Sequence, residues 1–391
     1  MKALVCGAGL AGLTLTWHLE RAGWQVELVE RAPAFRDGGY MIDFYGPGYE
    51  VAGRMGLHPR LEEVRYPVDE LGYLDGAGRQ TSGLRLPPDV TGVVSLLRAD
   101  LARAIADTVR TTTRYGTSVT AVAQPPAAPV QVTLTDGSEH EVDLLVGADG
   151  THSTVRELVF GPERDHVRHL GHHVAAYSIH APELSREIGT RYRMLTVPGL
   201  MAGAYALRGE RLALLFLHRV SDPALPADPV AVLRERFGGL GWILPEVLPA
   251  CPPPPELYYD QVTQVELGGW SRGRVVLLGD ACQAVSLFAG HGASMAMTAA
   301  HVLAAELTAG GLTAGELAAG EIGPALAGYE RRMRPVIERV QRFGRRFIHW
   351  MAPPSRLRIT ARDLLLRAAA LPGADRLLVG SLSPGGHGRI P

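Results

Sequence analysis

Apolar and polar residues follow two different periods along this chain. Near the amino terminus, residues 2–6 and 25–29 are short apolar runs, and residues 13–22 between them have the spacing of a helix. The order strand, helix, strand predicts a βαβ unit with parallel strands. Further on, Asp136-Gly137 separates two runs in which apolar and polar residues alternate, which predicts a β-hairpin.

The pattern changes between residues 169 and 270. The runs at 174–180, 192–197, 201–207 and 212–218 are continuously apolar or alternate with period two, and no helical segments separate them. A mostly antiparallel sheet is therefore expected here. A helix is predicted at Pro229–Phe237. After about residue 324 the spacing is helical again, and Pro335 is expected to kink this helix or to begin a new segment.

A glycine motif, GAGLAG at residues 7–12, joins the first predicted strand to the first predicted helix. Gly7 permits a tight turn, Gly9 lets a pyrophosphate approach the backbone, and Gly12 lets the helix pack on the strand. The helix N-terminus offers unpaired N–H groups to the phosphates. Glu30, at the end of the second strand, is placed to accept from a ribose hydroxyl. This unit predicts a dinucleotide site, which FAD and NAD fit equally well.

A second candidate site lies late in the chain, in GRVVLLGDACQAVSLFAGHG at residues 273–292. Asp280 follows an apolar strand and is either an acceptor for a ribityl hydroxyl or an ordinary helix cap. Gly290 and Gly292 open a helix of small residues, whose N–H groups can face a ligand. Taken with the first glycine turn, this segment favours a flavin held along its length.

Four motifs, in this order, resemble those of the FAD-dependent aromatic hydroxylases, which are single-component flavoprotein monooxygenases. They are GAGLAG with Glu30-Arg31, LRADL at 97–101, DLLVGADGTHSTVR at 143–156, and GRVVLLGDA followed by GHG. The match spans residues 1 to about 330. Residues 240–249 and 258–271 are similar to the branch that contains the tetracycline-inactivating monooxygenases and antibiotic-tailoring enzymes.

The resemblance implies a reaction and its cofactors. FAD would be bound, NADPH or NADH would be the transient reductant, and O2 would supply the oxygen atom. A flavin C4a-hydroperoxide would then hydroxylate an aromatic or polycyclic small molecule. The cofactor supplies this chemistry while the protein binds, orients and excludes water. No catalytic side chain and no metal ligand is therefore expected.

The resemblance also implies site residues. Contacts to FAD are expected from Gly7, Gly9, Leu10, Ala11, Gly12, Glu30, Arg31, Arg98, Val119, Asp149, Gly150, Asp280, Gly290, His291, Gly292 and Ala293. The segment 38–44 matches the part of the family that lies near the isoalloxazine. Contacts to the substrate are expected from Met41, Asp43, Tyr205, Phe216 and Phe288, each of which is otherwise an ordinary core or loop residue.

The implied fold class is α/β, with a Rossmann-like FAD-binding domain, a mostly antiparallel β-sheet substrate domain and C-terminal helices. The FAD-binding domain is expected to be discontinuous, at 1–72, 98–168 and 271–330. The substrate-binding domain is expected at 73–97 and 169–270, and a helical segment at 331–391.

Three residues depart from the family's third motif. Gln283 stands where the family has His, Leu287 where it has Pro, and His291 where it has Gln. The proline position lies beside the reactive side of the flavin. These changes keep open an FAD enzyme that does not hydroxylate, such as an oxidative or redox-neutral cyclase. A non-enzymatic carrier on a flavoprotein fold is the remote alternative, because the glycine motifs and their acids are retained.

Composition narrows the remaining classes. The 391 residues have a net charge of −1 and no basic stripe, which argues against nucleic acid as a partner. Cys6, Cys251 and Cys282 lack metal-ligand spacing and are expected to be reduced thiols. The sequence shows no targeting segment and no membrane span, so a cytoplasmic protein without membrane contact is expected. Substrate identity, the choice between NADPH and NADH, and oligomeric state stay open.

Overall fold

The computed structural model describes residues 1–35, 40–86, 92–126, 128–254, 256–309 and 322–369. The strands, in chain order, are β1 (Lys2–Cys6), β2 (Gln25–Glu30), β3 (Met41–Tyr45), β4 (Glu70–Leu74), β5 (Gln80–Arg85), β6 (Val93–Leu97), β7 (Thr113–Tyr115), β8 (Val119–Ala123), β9 (Val130–Leu134), β10 (Glu139–Val142), β11 (Leu144–Gly147), β12 (Val167–His180), β13 (Arg191–Val197), β14 (Leu200–Leu207), β15 (Arg211–Arg219), β16 (Tyr258–Val265), β17 (Ser271–Arg272) and β18 (Val275–Leu277).

The helices, in chain order, are α1 (Leu10–Arg21), α2 (Pro47–Arg54), α3 (His58–Val64), α4 (Arg98–Ala106), α5 (Thr154–Phe160), α6 (Pro182–Ile188), α7 (Pro229–Phe237), α8 (Leu244–Val247), α9 (Asp280–Gln283), α10 (Gly292–Thr308), α11 (Ile322–Met351) and α12 (Arg356–Ala369). Two short 3-10 helices cover Glu163–Asp165 and Leu287–Ala289.

A six-stranded sheet carries the glycine motifs. Its order is β17-β18-β11-β1-β2-β7, with every pair parallel except β17 and β18. Cys6 pairs with Gly147, and Gly147 pairs with Leu277, so β1, β11 and β18 end in register. The three motifs that follow these strands therefore meet at one edge of the sheet, which is where open α/β sheets bind their ligands.

A seven-stranded sheet lies across from it in the order β16-β12-β15-β14-β13-β4-β5. All its pairs are antiparallel except β13 with β4. One face packs against α6, α7 and α8 in a single apolar cluster. The other face packs against α11 and α12, through residues such as Ile348 and Leu366. The sheet is thus buried on both sides, which explains its continuously apolar strands.

The observed elements confirm the predicted α/β fold class. The runs predicted as strands in the middle of the chain form β12 to β15, and the helix predicted at Pro229–Phe237 is α7. The Asp136-Gly137 turn joins β9 to β10 as an antiparallel hairpin, with Gly137 at φ 81°. The expected domain limit at residue 72 falls inside β4, which belongs entirely to the seven-stranded sheet.

Of the two alternatives expected for Pro335, the start of a new segment is wrong, and a kink stays a prediction. Helix α11 runs without a break through this proline to Met351. Proline removes one backbone donor and crowds the preceding turn. The helix nevertheless persists because one face is buried along its length, at Tyr329, Met333, Ile337 and Val340. Packing of an amphipathic face contributes more to a helix than local propensity does.

Candidate functional site

The first glycine turn brings α1 close to two strands. Gly7 has φ 110°, and a Cβ there would lie 2.3 Å from the carbonyl oxygen of Ala148. A Cβ on Gly12 would lie 1.9 Å from the carbonyl oxygen of Gly7. Gly9 is the N-cap of α1, and among the described residues no side chain caps this helix end. Its first N–H groups are therefore available to an anion at the positive end of the helix dipole.

Glu30 holds the turn from the neighbouring strand. One carboxylate oxygen accepts from the N–H of Ala8 at 2.9 Å, and the other accepts from the N–H of Ala32 at 2.9 Å. These bonds fix the carboxylate beside the glycine turn, at the end of β2. Each oxygen keeps a second lone pair, which a ribose hydroxyl can use.

The Asp149-Gly150 motif follows β11 at the same sheet edge. Asp149 accepts from the hydroxyl of Ser153 and from the N–H of Val155, while burial raises the pKa of its carboxyl. Gly150 has φ 84° and faces open space. This acid therefore accepts from the first turn of α5, whose N-cap is Ser153, and the glycine leaves the backbone open to a ligand.

Arg156 connects this motif to the third one, and sequence reasoning passed over it. Its side chain is completely buried. One guanidinium nitrogen donates to the carbonyl of Ala281 at 3.0 Å, and another donates to the carbonyl of Thr151 at 2.7 Å. The arginine therefore fixes the turn after β11 against the residue that follows Asp280.

Asp280 and Arg98 face each other across the ligand groove. Burial raises the pKa of the Asp280 carboxyl, and the charge of Arg98 opposes that shift. The Arg98 guanidinium lies over the first turn, 4.0 Å from where a Cβ of Gly9 would be. Gly279, at φ 63°, lies so near that its Cβ would be 2.7 Å from the Cβ of Ala11. The first and third motifs are therefore in direct contact.

A cavity of about 390 Å³ opens where these motifs meet the seven-stranded sheet. Its nucleotide side is lined by Gly9, Leu10, Ala11, Arg98, Ala148, Gly150, Thr151, Asp280, Gly290, Gly292 and Ala293. Its far side is lined by Tyr40, Met41, Asp43, Tyr45, Val174, Leu215, Tyr258, Asp260, Val262, Leu287, Phe343, Phe347 and Met351. The first group fits FAD, because Cβ-free backbone and an uncapped helix end suit a pyrophosphate and Asp280 suits a polyol.

The expected substrate residues separate into three sets. Met41 and Asp43 line the cavity. Tyr205 lies behind the wall, where its hydroxyl accepts from the N–H of Met41. The expectation for Phe216 is corrected: it is fully buried and stacks on Tyr177 on the opposite face of the sheet. The side chain of Phe288, like residues 38 and 39, lies outside the described part of the structure.

Seven of the expected FAD contacts are not among the residues that line the cavity, namely Gly7, Gly12, Glu30, Arg31, Val119, Asp149 and His291. Val119 is buried in β8, and Arg31 is exposed just beyond Glu30. Their contacts to the adenosine part of FAD stay predictions. Sequence reasoning also missed Tyr258 and Asp260 of β16 as site residues, because it used this segment only for the resemblance to one branch of the family.

The departures in the third motif have local explanations. The Gln283 amide donates to the hydroxyl of Tyr329 at 2.5 Å and is buried outside the cavity wall. His291 is also turned inward: its Nδ1 donates to the carbonyl of Ala289, and its Nε2 accepts from the hydroxyl of Tyr45 at 3.2 Å. Burial lowers the pKa of His291, which keeps the ring neutral. Leu287 alone of the three replacements lines the cavity.

Other kinds of site are not indicated. Within the described ranges, no group of three or more His, Cys, Asp or Glu residues is arranged to hold a metal ion. Burial raises the pKa of the Cys6 thiol to about 12 and that of Cys251 to about 11, and Cys282 is buried as well, so these thiols are unreactive. Across the same residues, no helix combines the length and apolar character needed to span a membrane.

Comparison with known proteins extends this geometry to a family. The family described as FAD binding domain matches residues 1–186. An uncharacterized protein of Mycobacterium tuberculosis is 34% identical over 322 residues, which are 77% of this chain and 83% of that protein. A flavin-dependent monooxygenase of Legionella longbeachae is 26% identical, covering 78% of this chain and 79% of the relative.

Solved structures are also similar to this chain. The crystal structure of tetracycline destructase Tet(51) superposes with a TM-score of 0.77 at 26% identity, over 94% of this chain and 96% of that one. Klebsiella pneumoniae HpxO, complexed with FAD and uric acid, gives a TM-score of 0.78 at 24% identity, over 97% and 95% of the two chains. This second likeness concerns the fold alone. The chain belongs to the FAD-dependent monooxygenases of the aromatic hydroxylase type, and FAD is its cofactor.

Proposed function

We propose that this monooxygenase hydroxylates an aromatic or polycyclic small molecule, with NADPH or NADH as reductant and O2 as the source of oxygen. The observation that carries the proposal is the cavity of about 390 Å³, which the glycine motifs and the seven-stranded sheet line together. A flavin held by the motifs would present its ring system to whatever occupies the sheet side. When bound, FAD supplies the redox and oxygen-activating chemistry.

The walls of the cavity support a ring substrate. Leu215 and Val262 contribute apolar surface from the sheet, and Phe343, Phe347 and Met351 contribute it from α11. Apolar and aromatic walls with a few polar groups are typical of small-molecule sites. A structural neighbour at 26% identity points in the same direction, since it is named as a tetracycline destructase. Tetracycline is a fused-ring compound.

The protein's own residues would bind FAD, position it and exclude water. The glycine turn and the end of α1 would hold the pyrophosphate, and Asp280 would accept from the ribityl chain. The domain division is part of this proposal: 1–72, 98–168 and 271–330 would form the nucleotide side, except that β4 joins the substrate side with 73–97 and 169–270, and 331–391 would be the helical segment. Some of the site residues that the sequence predicts also line the cavity. We infer that these residues contact FAD or substrate.

The test is an isotope experiment on the FAD-loaded protein. Ring compounds are first screened for those that accelerate NADPH or NADH oxidation, and the hit is then turned over under ¹⁸O2. We expect one labelled oxygen atom per product and one reduced nicotinamide consumed per oxygen transferred. An unlabelled product formed without nicotinamide oxidation would instead indicate a cyclase, the alternative to which the replacement Leu287 points.

A further inference from the structure

The charges on the cavity wall are unbalanced. Among the described residues that line it, three are carboxylates, at Asp43, Asp260 and Asp280, and one is a cation, Arg98. Arg98 acts on Asp280, whose pKa it lowers against the effect of burial. The negative charges of the other two carboxylates, Asp43 and Asp260, must therefore be compensated by other groups.

Asp260 has a cationic partner outside the wall. The His152 ring lies 3.6 Å from its Oδ1, and the N–H of Gln261 donates to the same oxygen at 2.8 Å. Hydrogen bonding to Asp260 and Glu163 raises the pKa of His152 to about 9. The imidazolium is thus present at neutral pH, and it compensates Asp260.

Asp43 differs from Asp280 and Asp260 in the partners of its carboxyl group. It lies in the middle of β3, opposite Ser95 of β6, and its Oδ1 accepts from the Ser95 hydroxyl at 2.5 Å. Within the described part of the chain, no arginine, lysine or histidine forms an ion pair with it. Burial raises the pKa of its carboxyl, with the Ser95 hydrogen bond opposing the shift. Asp43 lines the cavity, and no described residue donates a hydrogen bond to its second carboxylate oxygen.

A carboxylate in such a place attracts donors and cations. It can only accept hydrogen bonds when ionised, and no cation among the described residues is paired with it. A ligand that brings an ammonium, a hydroxyl or an N–H group to the second oxygen would supply that compensation. A ligand carboxylate in the same position would be repelled by a like charge.

We propose that Asp43 selects the substrate of this enzyme, favouring ring compounds with a cationic nitrogen or a hydroxyl group near their reacting part and excluding those with a carboxylate there. This inference rests on the proposed function, because it takes the sheet side of the cavity to be the substrate site. It concerns the recognition of the substrate and does not involve a covalent step.

The experiment compares three probes on one ring system: naphthalenes that carry an aminoethyl, a hydroxyethyl or a carboxymethyl group. Their dissociation constants are measured by calorimetry on the FAD-loaded protein at neutral pH and moderate salt. We expect the amine and the alcohol to bind about tenfold or more tightly than the carboxylate, since charges a few ångströms apart interact strongly in a partly enclosed site.

Asp43→Asn keeps the shape of the side chain and its acceptor for Ser95 but removes the charge. We expect this variant to weaken amine binding by about tenfold and to bring the amine and carboxylate probes close to equal affinity. Ser95→Ala keeps the charge and should keep the wild-type order of probes. Asp165→Asn, at an exposed acid in a short 3-10 helix, is the matched control and should change none of the three affinities.

Carboxylate binding as tight as amine binding, no binding of either the amine or the alcohol, or an unchanged order in a folded Asp43→Asn protein would each overturn the proposal. If Asp43→Asn does not fold, the proposal is judged by the order of the three probe affinities, measured with the wild-type protein and with Ser95→Ala. The isotope experiment is independent: loss of oxygen transfer with the probe order intact would reject the reaction alone. Oxygen transfer with the opposite order would reject only the role of Asp43.

Discussion

Replacing two glycines of the same turn by alanine should affect different properties of the protein, which are stability for Gly12 and FAD binding for Gly9. A methyl group on Gly12 would lie 1.9 Å from the Gly7 carbonyl oxygen and 3.3 Å from a methyl carbon of Val5. Both neighbours belong to buried backbone or core, so α1 would have to move away from β1. A methyl group on Gly9 would find its nearest atom, in the Arg98 guanidinium, at 4.0 Å. It would point into the nucleotide side of the cavity.

The magnitudes follow from these distances. Gly12→Ala should lower the free energy of unfolding of the apoprotein by about 1–3 kcal/mol or more, as overpacked cores do. Gly9→Ala should change it by only about 0.5 kcal/mol, because the site is open and φ is −81°. Gly9→Ala should nevertheless weaken FAD binding by about tenfold or more, since one misplaced methyl group costs about 1–3 kcal/mol in a close-fitting site.

The assay has two parts: urea unfolding of the apoprotein, and FAD titration followed by quenching of flavin fluorescence. Gly323→Ala is the control, because a Cβ there meets nothing within 4 Å and lies far from the motifs in sequence. An unchanged unfolding midpoint for Gly12→Ala would refute the close packing of α1 on β1. Wild-type FAD affinity for a folded Gly9→Ala protein would refute the placement of the pyrophosphate at this turn.

Four further variants test the site. Asp280→Ala and Arg98→Ala should each reduce the amount of FAD that survives gel filtration, measured as the ratio of flavin to protein absorbance; two fully yellow proteins would contradict the position of the cofactor. Arg156→Met should lower the free energy of unfolding by about 3–5 kcal/mol and loosen FAD, because it leaves buried carbonyl groups without donors. His152 gains acidic partners on folding, which raise its pKa from 6.5 to about 9. Its contribution to the free energy of unfolding is therefore full below pH 6.5 and is lost as the pH rises through about 9. The melting temperature of wild-type protein should therefore fall more between pH 6.5 and 9 than that of His152→Gln, and parallel curves would contradict this.

The two replacements Gln283 and His291 show how a motif can change without changing the cavity wall. The sequence predicts His291 as an FAD contact, and the replacement Gln283 is one of the changes that keep a non-hydroxylating enzyme open. In the structure, the Gln283 amide donates to the Tyr329 hydroxyl and His291 donates to the Ala289 carbonyl, so each side chain is held by a hydrogen bond inside the protein. Hydrogen bonds inside the protein explain both residues. Of the three replacements, Leu287 is the one that bears on whether the enzyme transfers oxygen, because it lines the cavity.

The sequence by itself determined the parts of this protein that depend on neighbouring residues. Glycines at 7, 9 and 12 specify a turn through local backbone geometry, and Asp136-Gly137 specifies a hairpin in the same way. The periods of the apolar runs likewise separated the βαβ unit from the antiparallel sheet. These signals are readable because each spans only a few positions, and because glycine has conformations that other residues avoid.

Only the tertiary structure decided which residues share the cavity. Leu215 and Phe216 are adjacent and apolar, yet the first lines the cavity and the second is buried on the other face of β15. When both faces of a sheet are covered, alternation cannot tell the two faces apart. The partners of Asp43 and Arg156 lie 52 and 125 positions away. Such contacts arise from the register of strands and the packing of helices, for which the local sequence carries no signal.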